Sequence, residues 1–176
     1  MRLAVAISFL LFSGSASAQA LSVCEVLSKL NELNGKKIVV RGNWIAGDAV
    51  RVLRAESPCE RPMIRDGWHW TDTINLIPEH GKLSIAEYVA ENRRLRKANP
   101  GAKILVTLTG QFETRERYDV RVTPFGEQLP IGFEWSAAQL RFVTAEDFKA
   151  VRFPEDLEES GRDYHPKRVP QSKPVP

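Results

Sequence analysis

The stretch from Lys36 to Val52, KKIVVRGNWIAGDAVRV, constrains this chain more than any other. Ile38, Val40 and Trp44 fall on one face of an extended segment, and Val39, Arg41, Asn43 and Ile45 fall on the other. That period of two is the pattern of a half-buried strand. Ala46-Gly47-Asp48 supplies a turn, and Val50 to Leu53 begins a return strand, so the stretch reads as a long β-hairpin. Gly42 interrupts the apolar face. A glycine inside a strong strand marks a bend or bulge, which lets a sheet coil enough to close. The expectation is a small closed β-barrel that begins with this hairpin.

The N-terminus reads as an address. Arg2 is a short positive region, Leu3 to Phe12 is an apolar run too short to span a bilayer, and Ala16-Ser17-Ala18 is a small-x-small cleavage site. Residues 1–18 are therefore expected to be a secretory signal, cut near Ala18, with the protein exported to the periplasm or secreted. A lipidated Cys24 fits less well, because Val23 stands where a small residue is normally needed. No other run is apolar enough to cross a membrane, so no transmembrane segment is expected in the mature chain.

Export bears on the cysteines, Cys24 and Cys59. In an oxidising compartment an even pair is most simply a disulfide. A redox pair would want C-x-x-C, which is absent. The three histidines, His69, His80 and His165, have no ligand spacing to each other or to the cysteines, so neither a metal nor a cofactor is expected. The formal charge is +3, and loss of Arg2 with the signal lowers it, too little to argue for nucleic acid by itself.

Along the chain, Leu21 to Leu33 carries Val23, Val26, Leu27, Leu30 and Leu33 at helical spacing, and Asn34-Gly35 ends it. Ser57 to Pro62 is a loop by composition, and an extended Trp68-His69-Trp70 segment follows. Thr73 to Ile77 reads as a third strand ended by Pro78. Ser84-Ile85-Ala86-Glu87 is a capping box, opening a helix that Asn99-Pro100-Gly101 stops. Lys103 to Phe112 is a second unmistakable strand, with Gly110 placed as Gly42 is in the first. Arg115 to Trp135 is a loop or irregular hairpin, Ala138 to Val143 a last short strand, and Thr144 to Phe148 a brief capped turn or helix. Residues 154–176 are proline-rich with few large apolar residues and are expected to be a disordered tail. Residues 19–153 then form one domain.

Three strands, a helix and two strands is the order of the OB-fold, a five-stranded Greek-key barrel. Val23 to Leu27, Gly35 to Gly42, Cys59 and Leu105 to Phe112 together resemble small exported bacterial proteins with an OB-fold-like domain. The resemblance covers about residues 22–145. It implies a mainly β fold, a β-barrel with two helices, and it transfers no catalytic residue.

OB-folds bind on the face of strands two and three and through the loops joining strands one to two and four to five. The second loop offers Arg115, Arg117, Tyr118, Arg121, Phe125, Phe133 and Trp135. Interleaved basic and aromatic residues can stack bases and hold phosphates, or can pack a loop on its barrel. Trp68, His69 and Trp70 form the other cluster, either a platform for a sugar, base or peptide or a piece of core. A nuclease would need clustered carboxylates with arginines nearby; carboxylates are plentiful, but spacing does not single out a set such as Asp48, Arg51, Arg54, Glu113 and Arg115, and no nucleophile motif is present. The expectation is a non-enzymatic binding or interaction module for a small-molecule, glycan or protein ligand. Nucleic acid is not favoured. The alternatives are an envelope-associated structural protein that acts through a protein partner, and a metal-dependent nuclease-like hydrolase.

Overall fold

A computed structural model describes residues 19–46, 51–79, 85–134, 136–152 and 166–170. The expected signal, the tip of the first hairpin at 47–50, Ser84 of the capping box and Trp135 lie outside them. In chain order the elements are β1 (Leu21–Ser22), α1 (Val23–Ser28), α2 (Leu30–Leu33), β2 (Lys37–Ala46), β3 (Arg51–Arg54), β4 (Met63–Arg65) and β5 (Trp68–Trp70). Then come β6 (Thr73–Pro78), α3 (Ile85–Ala98), β7 (Lys103–Thr114), β8 (Val120–Val122), β9 (Gln128–Pro130), β10 (Ala138–Val151) and β11 (Lys167–Arg168).

Five of these strands close a barrel. β2 pairs with β3, β3 with β6, β6 with β10 in parallel, β10 with β7, and β7 returns to β2. With α3 between the third and fourth barrel strands, this is an OB-fold-like barrel, as the element order predicts. β2 makes the closure. Its first half, Lys37 to Asn43, pairs with β7, and its second half, Asn43 to Ala46, pairs with β3. The handover falls beside Gly42. A Cβ there would stand 2.6 Å from the Arg54 carbonyl oxygen and 2.8 Å from a Val23 methyl, so only glycine lets β3 and α1 approach this closely. Gly110 does the same for β10, where a Cβ would meet the Arg141 carbonyl and the Phe142 Cα.

Ile38, Val40 and Trp44 are buried, with Val106, Leu108, Phe112, Leu140 and Phe142 from the facing strands. α1 and α2 add Val23, Val26, Leu27 and Leu30 to the same core. The Cys24–Cys59 disulfide ties α1 to the segment after β3, at a sequence separation of 35. Asn43 alternates to the other face yet is buried too, because its side-chain oxygen accepts the Ile104 backbone N–H at 3.1 Å.

Four segments differ from expectation. The single helix over Leu21 to Leu33 is a strand residue pair followed by two short helices. Ser22 caps α1 with Glu25 reciprocally, and Lys29, at φ −120° and ψ 30°, breaks the helix. Thr144 to Phe148 is no turn or helix but the middle of β10, a 14-residue strand. Its register against β7 slips after Phe142 and again after Glu146, and Asp147 takes φ 54°. Pairing with β7 overrides the local capping signal, and the bulges absorb the misfit. The Trp68 segment is the second half of a hairpin, β4–β5. Finally, within the expected tail Lys167–Arg168 pair with β5 as β11, where backbone partners stand in for the missing apolar side chains. Residues 153–165 and 171–176 lie outside the described residues.

Candidate binding surface

Two inserts stand on the barrel, one of them in the loop between strands four and five that OB-folds use for ligands. The β4–β5 hairpin lies between the second and third barrel strands, and the β8–β9 hairpin lies between the fourth and fifth. β4–β5 turns on Asp66 and Gly67, at φ 52° and 77°, the double positive-φ turn that matches strand twist. β8–β9 pairs Val120 with Pro130 and Val122 with Gln128. The expected loop over Arg115 to Trp135 is thus an irregular hairpin arm.

The inserts pack on each other through a small second core of Trp68, Trp70, Tyr118 and Ala137. The Trp70 and Tyr118 rings lie 4.5 Å apart at 51°, a tilted aromatic pair. The Trp70 indole N–H donates to the Arg65 carbonyl at 3.3 Å. The Tyr118 hydroxyl donates to the Ala137 carbonyl and lies 3.0 Å from Thr114 Oγ1. Asp66 reaches across from the first insert and accepts the Tyr118 backbone N–H at 3.0 Å, while the Arg65 guanidinium stands 5.7 Å from the Tyr118 ring. A hydroxyl pair, Thr73 to Ser136 at 2.8 Å, fastens this unit to β6.

This arrangement decides the fate of the expected site residues. Trp68 and Trp70 are both buried, so neither offers an open ring face. His69, between them on β5, is half-buried and sits opposite Ile64 and Lys167. Tyr118 is buried with Trp70 and so leaves the basic-aromatic series of its loop. Arg115 covers the Phe133 ring at 4.8 Å and donates to the Ile131 carbonyl at 3.1 Å, a local clamp rather than an open phosphate site. Arg117 is exposed. Glu113 faces Arg141 at 2.6 Å and also accepts from Gln139. Partial burial pushes its pKa up, but the hydrogen bonds from Arg141 and Gln139 and the Arg141 charge outweigh this and hold it below the ordinary value. Among the described residues no group of three His, Cys, Asp or Glu converges as a metal site would require.

Large apolar side chains are open as well. Phe125, at the tip of the β8–β9 arm, is 92% exposed, and Val122 is 65% exposed. Val120 and Ile131 are exposed beside them, and Ile64 is exposed on β4. Val120 and Val122 share one face of β8 by strand alternation. Sequence reading named Phe125 but missed Ile64, Val120, Val122 and Ile131 and the β4–β5 hairpin. The signals were present: Asp66-Gly67 between Met63-Ile64-Arg65 and Trp68-His69-Trp70 is a strong hairpin mark, and Val120-Arg121-Val122 alternates. No helix among the described residues is long and apolar enough to cross a membrane. Comparison with protein families, with curated proteins and with solved structures finds no match to this chain.

Proposed function

We propose that this protein is an exported, non-catalytic interaction module that docks a protein partner through the β8–β9 arm. The observation that carries the reading is the contrast between Phe125, almost wholly in solvent at the arm's tip, and the ring-bearing residues at its base, which are consumed by packing. A site for a sugar or base needs open ring faces side by side, and among the described residues of the arm only Phe125 offers one. Around Phe125 the arm offers scattered apolar side chains on a ribbon with Arg117 exposed alongside. That chemistry suits an apolar depression rimmed by acidic residues on another protein. The Cys24–Cys59 disulfide and the Arg2 to Ala18 segment support placing the encounter outside the cytoplasm.

The test is site-specific photocrosslinking in intact cells. A photoreactive phenylalanine analogue at position 125 should give one discrete adduct that Val122→Ser weakens. The same analogue at position 93, on the exposed face of α3, should give none. Absence of an adduct at 125, or equal labelling at both positions, overturns the reading.

A further inference from the structure

The β5 edge carries a second inference, which rests on the reading as a protein-binding module but concerns a surface distinct from the Phe125 tip. Among the described residues, β5 is flanked on one side by β4 and on the other by β11 alone. β11 reaches it from the far end of the chain, after β10 has ended at Val151. Its pairing is confined to Lys167 opposite His69 and Arg168 opposite Trp68. One more backbone bond, from the Val169 N–H to the Gly67 carbonyl at 2.9 Å, extends the contact along the β4–β5 turn.

Side chains then select what lies there. Arg168 crosses to the other insert, where its Nη1 donates to Gln128 Oε1 at 2.9 Å, and its guanidinium stands 6.0 Å from the Trp68 ring. Pro166 is buried at the start of the segment. Beside it, a groove of about 490 Å³ runs between the inserts, lined by Trp68, Val120, Gln128 and Val169 among others. The segment therefore contributes main-chain pairing, one arginine anchor and an apolar residue following it. These are the elements of recognition by strand addition, with backbone bonds for affinity and side-chain contacts for specificity.

We propose that the β5 edge is a strand-addition site for an extended peptide segment of a partner protein, with an arginine at the Trp68–Gln128 position, and that residues 166–170 occupy this site in cis. The internal strand acts as a competitor. A tethered segment works at an effective concentration of roughly millimolar, so an external segment must exceed that to displace it. The device makes the edge safe when no partner is present, since an uncovered edge strand invites unspecific pairing.

The experiment uses the full mature chain and a synthetic peptide of residues 165–171, His-Pro-Lys-Arg-Val-Pro-Gln, which contains no tryptophan. The double variant Arg168→Ala, Val169→Pro removes the anchor and the N–H that bonds Gly67 without touching the barrel. Tryptophan fluorescence should respond saturably to the peptide in the double variant. Wild type should need roughly tenfold more peptide, because its own strand holds the site. A peptide with alanine in place of its arginine should bind the variant roughly tenfold more weakly. Amide exchange at Trp68 and His69 should quicken in the variant and slow again on adding peptide, which separates a vacated edge from an unfolded insert. Equal titrations of wild type and variant, no response from the variant, or indifference to the arginine each overturn the proposal. None of these results depends on crosslinking at Phe125, so either reading can fail alone.

Discussion

The barrel and the two inserts solve the same problem by different means. The barrel buries a continuous apolar core, and every one of its strands is paired on both sides. The inserts bury a cluster of Trp68, Trp70, Tyr118 and Ala137 and rely on single polar clasps: Asp66 to Tyr118, Arg65 to the Tyr118 ring, Thr73 to Ser136. Closure removes edges, so the barrel has little left to offer a partner. The inserts end in an exposed tip and a short, replaceable edge. On the proposed function, stability is concentrated in one region and recognition in the other, as expected when binding surfaces are drawn from the less stable parts of a fold.

The largest effect should come from the barrel. Phe112→Ala removes a fully buried ring whose backbone also bonds Gly35 and Lys36. It should cost about 3–5 kcal/mol in chemical denaturation, and protection should fall across all five barrel strands together. If exchange quickens only locally, the barrel is not one cooperative unit.

The disulfide comes next. Replacing Cys24 and Cys59 with serine frees a loop with a sequence separation of 35 and should cost about 3–4 kcal/mol on chain-entropy grounds. The barrel should still form, with β4–β5 loosened most, since Cys59 leads into that insert. A loss confined to the barrel, with the insert unchanged, would contradict a division between a stable barrel and looser inserts.

Tyr118→Phe sharpens the comparison. It keeps the ring against Trp70 but removes one of two donors to the Ala137 carbonyl, leaving Thr114 Oγ1 at 3.2 Å, at a cost of about 0.5–1.5 kcal/mol. Exchange should quicken at residues 63–70 and 118–134, while β2 and β7 stay protected. Uniform loss of protection would mean that the two cores are one.

The smallest effect concerns pH. Glu113 has a folded-state pKa below the ordinary 4.5, so its ionised form is favoured by folding. The stability it contributes is fully present above about 4.5 and is lost as pH falls through the depressed value. Glu113→Gln should therefore lower stability by less than about 1 kcal/mol at neutral pH, because solvent reaches the half-exposed Arg141 partner and screens the pair, and should flatten the acid limb of a denaturation profile. An acid limb identical in both proteins would show that this pair is not linked to folding.

Much of the barrel was legible in the chain. Alternation over Ile38 to Trp44 and over Lys103 to Phe112 marks strands because only one face is buried, and strand geometry fixes which residues share that face. Gly42 and Gly110 announced close approach because no side chain fits there. The cysteines paired as their number and setting implied. The remainder depended on partners distant in sequence. Thr144 to Phe148 carries a turn-like local signal, and only β7 alongside it holds it extended. Tyr118 looks like a candidate ligand platform until Trp70, contributed by a different insert, covers its ring. Residues 166–170 have too few apolar side chains to suggest structure, and Lys167–Arg168 form a strand where the β5 edge supplies backbone partners. Periodicity and glycine placement are local consequences of burial, so the sequence determines them alone. Which edge a strand meets, and whether a ring packs or stays open, is set by chain segments brought together only when the barrel closes.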